Sequence, residues 1–173
     1  MLNPVTRRKR CWLGLVLALL LAMPAVMAAS DSNAPIHITA DHAELLRNEN
    51  VSTYTGNVIL EREDLVLTGN KLVVKRLSDD SYRAELTGSP ATLENTPPAS
   101  EGEPVDGHSH IIIYTSANQQ IEMCGQAVLN RNDDTISGRT IRHDLDTQRS
   151  EAEAAPGGNG RVQITLHPDN GDE

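Results

Sequence analysis

Phenylalanine is absent from this 173-residue chain, and aromatic residues of every kind make up only 2% of it. The single tryptophan, Trp12, lies in an apolar N-terminal run. Beyond that run Tyr54, Tyr82 and Tyr114 are all that remains of Phe, Trp and Tyr. So few rings disfavour the stacking platforms that hold single-stranded nucleic acid or sugars, and the core has to be built from Ile, Leu, Val and Ala. Cysteine is almost missing too. Cys11 sits in the N-terminal run and Cys124 stands alone, so no internal disulfide staples the domain. The apolar strand pattern around Cys124 predicts a small buried hydrophobe rather than a reactive thiol. Helical periodicity is lacking in every window past residue 28.

Positive charge is scarce where it counts. Arg7, Arg8, Lys9 and Arg10 precede the apolar run Trp12–Ala22, Pro24 follows, and Val26-Met27-Ala28 offers a cleavage site. Residues 1–28 therefore read as a cleaved secretory signal, too short in its apolar part for a spanning helix. Without them 11 Lys and Arg face 24 Asp and Glu in a 145-residue chain of one domain. A net charge near −13 disfavours nucleic acid and anionic membrane surfaces as partners. Residues 29–168 read as the folded domain and 169–173 as a disordered acidic tail.

What the chain does have is a repeat. Tyr54–Val74 (YTGNVILEREDLVLTGNKLVV) and Met123–His143 (MCGQAVLNRNDDTISGRTIRH) align with Gly56 on Gly125 and Gly69 on Gly138, both 69 residues apart. Val58 and Leu60 match Ala127 and Leu129, and Leu67 matches Ile136. Each copy is a short apolar run, a polar turn and a second apolar run, which is a duplicated β-hairpin unit. Around it lie further short strands. Ile36–Asp41, Ala43–Arg47, Val51–Leu60, Leu65–Arg76 and Tyr82–Leu93 come first. His108–Thr115, Gln119–Leu129, Thr135–His143, Gln148–Ala154 and Arg161–Leu166 follow the one long loop, Glu94–Gly107. This spacing predicts an all-β antiparallel sandwich, roll or barrel. The in-strand glycines mark bends at which the sheet folds over on itself, with an apolar concave face and ends that need not close.

Catalytic chemistry has little to stand on. Gly102-x5-His108-x-His110 opens like the first metal motif of a cupin, with two histidines on one strand face. The Glu that motif needs is replaced by Tyr114 and Thr115, so the expectation is surface histidines, no metal, no cofactor and no enzyme. The acidic residues gather in turns (Glu61–Asp64, Asp79-Asp80, Asp133-Asp134) without the ligand ladder of a calcium loop. What remains is the aliphatic face. Ile36, Ile38, Tyr54, Val58, Leu60, Leu65, Leu67, Leu93, Ile112, Tyr114, Ile121, Met123, Leu129 and Ile136 fall on it by alternation from the glycines. A slot so lined suits acyl chains, at about 0.8 kcal/mol per buried methylene.

The order and spacing of several short stretches resemble the LptA family of periplasmic lipopolysaccharide-transport proteins, with its OstA-like domain. They are Pro35-Ile36-His37-Ile38 with Asp41, Tyr54-Thr55-Gly56-Asn57-Val58, and Lys71 with Val73-Val74. Gly88-x-Pro90-Ala91-Thr92, Pro104-Val105-x-Gly107-His108, Tyr114, Gly125 with Ala127, Gly138, Arg161-Val162 and Pro168 complete them. The match runs from Pro35 to Pro168. It implies a folded-over antiparallel β-jelly roll open at both ends, lodged in the periplasm and carrying lipopolysaccharide between the two membranes. It also implies lipid A held by inward strand positions, head-to-tail self-association, and partners resembling the inner-membrane LptC and outer-membrane LptD components. The positions matching the family's lipid contacts are Ile36, Ile38, Leu93 and Tyr114, to which alternation adds Val58, Leu60, Leu67, Ile112 and Met123. Leu93 stands where the family has an aromatic and Ser116 where it has an apolar residue. Two other roles are carried as alternatives: a membrane-tethered LptC-like component that keeps its leader, and a cupin-like metal-binding protein using His108 and His110.

Overall fold

The computed structural model describes residues 34–77, 81–155 and 160–167. The expected leader over 1–28 and the tail over 169–173 lie outside them. Among the described residues ten strands form one antiparallel sheet: β1 (His37–Thr39), β2 (His42–Leu46), β3 (Val51–Arg62), β4 (Leu65–Arg76), β5 (Tyr82–Asn95), β6 (Val105–Thr115), β7 (Gln120–Arg131), β8 (Asp134–Asp144), β9 (Ser150–Glu153) and β10 (Gln163–Thr165). A 3-10 turn, Ser116–Asn118, joins β6 to β7. From β3 to β8 the order in the sheet follows the order in the chain. β1 and β2 both pair with β3, and β9 and β10 both pair with β8.

Every long strand breaks register near its middle. In β3 the break falls between Thr55 and Val58, in β4 between Thr68 and Lys71, and in β5 between Thr87 and Ala91. In β6 it lies between His108 and Ile111, and in β7 between Cys124 and Ala127. These irregularities line up across neighbouring strands into a crease that divides the sheet into two layers. The front layer holds 51–55, 71–76, 82–87, 111–115, 120–124 and 140–144. The back layer holds 58–62, 65–68, 91–95, 105–109, 127–131 and 134–138. β2 and β9 extend the front layer at its two ends, while β1 and β10 extend the back layer.

The repeat glycines sit on this crease. Gly56 and Gly125 have φ of +82° and +81°, and the residue after each, Asn57 and Gln126, is also left-handed at 44° and 52°. One extra residue in a left-handed conformation bends a strand sharply, and glycine adopts it without a Cβ penalty. Gly69 and Gly138 face the bends, opposite Val58 and Ala127. The duplicated hairpin of the sequence is thus a duplicated half of the crease.

Side chains from both layers fill one core. Leu72, Leu86, Ile112, Tyr114, Ile121, Met123 and Ile141 come from the front, and Val58, Leu60, Leu67, Leu93 and Leu129 from the back. Three sequence expectations need correction. The long loop is shorter than Glu94–Gly107, because Asn95 and Val105 pair and both are buried. Gly107 lets β6 lie close to β7, since a Cβ there would meet the Val128 carbonyl oxygen at 2.5 Å. Strand β6 therefore begins at Val105, three residues before His108. Finally, Cys124 is half-buried rather than a core residue: it alternates with the buried Met123 and so points away from the interlayer space. Desolvation, and next Glu122, push its thiol up, away from reactivity.

Candidate functional site

The inward residues named from the sequence converge between the layers. Val58, Leu60, Leu67, Leu93, Ile112, Tyr114 and Met123 all belong to the buried cluster. Ile36 and Ile38 lie partly buried against its edge, beside β3, where Ile38 pairs with Leu60. Leu65, Ile121 and Leu129 are also in it, and Tyr54 and Ile136 pack against it. Leu72, Ala84, Leu86 and Ile141, equally buried, were missed. Burial in β4 passes from Leu65 and Leu67 to Leu72, and in β5 from Ala84 and Leu86 to Ala91 and Leu93. The crease shifts the alternation by one residue there, so a pattern read straight through loses one arm.

Opposite the crease, the hairpin tips of the two layers meet along a seam. Polar side chains cluster there, which the apolar pattern did not foretell. Arg62, at the end of β3, is 3% exposed. Its Nη1 donates to the Tyr114 hydroxyl and, at 2.9 Å, to Gln119 Oε1. The Tyr114 hydroxyl donates to the same Oε1 at 2.5 Å. Burial, and then the neighbouring Tyr82, push the Tyr114 phenol far above its ordinary range despite the Arg62 charge, so it stays neutral. Tyr82 packs tilted against it, with ring centroids 5.8 Å apart. Further along, Arg131 Nη2 donates to the Gln148 carbonyl at 2.6 Å and its Nε approaches Glu103 at 3.9 Å. Ser116 is buried because its hydroxyl accepts the Tyr82 amide at 3.0 Å.

His143 is fully buried in β8, with Nδ1 2.9 Å from the Ser150 hydroxyl. Desolvation, helped by Arg131, lowers its pKa to about 4. His108 and His110 stand apart from all this. They are exposed on the outer face, alternating with the buried Gly107 and Ser109. Among the described residues no three His, Cys, Asp or Glu come together as metal ligands. A shallow groove of about 370 Å³ runs over the crease between Asn57, Ile59, Thr68, Asn70, Ser89 and Pro90.

Both ends of the sheet are unclosed, and both carry exposed aliphatic residues. Leu45 and Leu46 lie on β2, 61% and 42% exposed, and Ile164 and Leu166 in and after β10, 58% and 70% exposed.

A two-layered aliphatic interior, creased along one side, seamed along the other and open at both ends, defines a jelly roll of the kind that can sheathe apolar chains. Comparison with known proteins gives the same class. Residues 37–149 match the family model described as LptA/(LptD N-terminal domain) LPS transport protein. The chain is 30% identical over 151 residues to the lipopolysaccharide export system protein LptA of Haemophilus influenzae, covering 85% of this chain and 84% of that one. It is 32% identical over 161 residues to LptA of Escherichia coli K12, covering 90% and 85%. The crystal structure of LptH, the LptA-homologous periplasmic component of the lipopolysaccharide transport device of Pseudomonas aeruginosa, superposes with a TM-score of 0.73. The two share 25% identity, over 81% of this chain and all of that one. This chain belongs to the LptA/LptD N-terminal domain family of lipopolysaccharide transport proteins.

Proposed function

We propose that this protein is a periplasmic lipopolysaccharide carrier that holds lipid A acyl chains between its two layers and leaves the anionic head groups in water. The observation that carries the reading is the interior itself: one continuous aliphatic core inside a sheet that never closes into a barrel. The acyl contacts are Ile36, Ile38, Val58, Leu60, Leu67, Leu93, Ile112, Tyr114 and Met123. Surface charge plays no attractive part, because an acidic chain repels phosphorylated sugars. Substituting Ile38→Asp, at the partly buried rim, places a carboxylate on the acyl path without gutting the core. Lipid A capture, followed by photocrosslinking from Ile36, should fall by an order of magnitude or more. Unchanged capture in a folded Ile38→Asp protein would sink the idea.

The same reading makes the open ends docking edges. Edge strands with unpaired backbone groups recruit further strands. β1 and β2 at one end and β9 and β10 at the other present two unlike edges. Stacking joins one protein's β9/β10 end to the next one's β1/β2 end, with an LptC-like component at the inner membrane and an LptD-like one at the outer membrane. Deleting residues 161–173 should weaken self-association and leave folding intact. Concentration-dependent sizes that are unaltered in light scattering would count against it.

A further inference from the structure

The proposed acyl contacts are shut away from solvent: Leu60, Leu67, Leu93, Ile112, Tyr114 and Met123 are all 0% exposed. A chain that enters from the flank, rather than through the unclosed ends, needs the layers to part. The crease cannot give way, since six strands run through it as continuous backbone. The seam is joined by side chains, and two of its links are arginines at equivalent places in the repeat, Arg62 and Arg131, again 69 residues apart.

Each arginine ends a back-layer arm and reaches a front-layer tip. Arg62 binds the Tyr114 hydroxyl and the Gln119 side chain at the tip between β6 and β7. Arg131 binds the Gln148 carbonyl at the tip between β8 and β9. Both tips are gripped at a left-handed residue, Gln119 with φ 49° and Gln148 with φ 57°. A guanidinium suits this work. Its several donors tie it to the opposite layer when closed, and its hydration is regained when the seam opens, so breaking the link costs less than its hydrogen bonds alone suggest.

We propose that Arg62 and Arg131 are paired latches of a seam that opens sideways, turning about the glycine crease, to admit and release an acyl chain. This rests on the carrier reading above. Arg62 is the stronger latch, being buried with two side-chain acceptors. Arg131 is half-buried and holds a backbone carbonyl.

The test is amide hydrogen exchange on the full lipid-free chain without its leader, comparing wild type with Arg62→Met, which keeps length and bulk but donates nothing. Exchange at 116–120 should quicken roughly tenfold, the scale of one charged hydrogen-bonded link, while 55–58 and 124–127 on the crease stay unchanged. Stopped-flow uptake of fluorescent lipid A from micelles should quicken by a similar factor. A folded Arg62→Met with wild-type exchange at 116–120, or with the crease loosened equally, overturns the latch. Should Arg62→Met lose its β circular dichroism, Arg131→Met carries the same test at 145–149, and wild-type exchange there is equally fatal. Faster exchange with no lipid A uptake by either protein overturns the carrier reading and leaves the latch standing.

Discussion

The two copies of the hairpin unit bend alike and are held differently. In the first, Gly56 lies hard against Asp41, the residue that carries the chain from β1 to β2. A Cβ there would meet Asp41 Oδ2 at 2.3 Å. The Asp41 amide donates to the Gly56 carbonyl at 2.9 Å, and Asn57 Nδ2 donates to the Asp41 carboxylate at 2.9 Å. The first bend therefore also turns the N-terminal edge. In the second copy Gly125 faces the side chain of His110, 3.0 Å from a Cβ built there. The second bend is interior to the sheet, and its C-terminal edge is tied elsewhere, by His143 to Ser150 and Arg142 to Glu153. One crease motif thus serves as an edge fastener in one place and a plain bend in the other.

Alanine at each glycine separates these roles most strongly. Gly56→Ala combines left-handed strain with a clash against a clamped carboxylate, and should cost about 4 kcal/mol in urea unfolding. Gly125→Ala meets only strain and an exposed, movable imidazole, and should cost about half as much. Equal losses would dissolve the distinction between the bends.

The next effect belongs to the second copy alone. His143 has a folded pKa near 4, below the ordinary histidine value of 6.5. The unfolded chain takes up the proton that the folded chain refuses, so stability present above pH 6.5 drains away as pH falls towards 4. The loss reaches roughly 3 kcal/mol at the bottom of that window. Asp144 next to it, lowered chiefly by the Thr147 amide, acts in a separate window: its contribution stands above pH 3.8 and is lost below. Urea midpoints of wild type and His143→Leu between pH 7 and 4.5 check this, and the variant should lose most of the slope.

Asp41→Ala probes the first copy more gently. It removes one side-chain link while keeping the backbone bond to Gly56, and should cost about 1 kcal/mol, with faster exchange in β1 and β2 but not in β9. Smallest of all is Arg142→Gln in the second copy. Its contact with Glu153, at 2.8 Å, is exposed, and that with Glu122, at 3.2 Å, is only partly buried. Its effect should vanish at high salt, and a persistent loss would show that the second edge leans on it more than geometry suggests.

Much of this was legible in the chain. Alternation and the doubled glycine spacing carried the all-β class, the bends and most of the interior, because period-two burial and left-handed glycines leave direct marks on sequence. Leu72, Leu86 and Ile141 escaped because bends in β4, β5 and β8 shift the alternation, and a bulge's phase cannot be read before its pairing is known. Arg62, Gln119 and His143 escaped for another reason. A polar residue at a strand end reads as solvated, and only the closing of one layer over the other buries it. The 69-residue spacing of Arg62 and Arg131 was there to be seen beside the glycines.

The sheet also runs in chain order from β3 to β8, so each long strand lies beside the strand next to it in sequence. Its pairings are accordingly assembled from neighbouring hairpins, with no distant strand to be found before the next can form. Such a chain can begin folding at any of several turns and grow outward, much as a repeat array does, and its rate is set more by turn formation than by long searches. The edges β1 and β10 are then the last pieces laid down and the first to fray, which leaves the free ends of the sheet as its most readily exchanged strands.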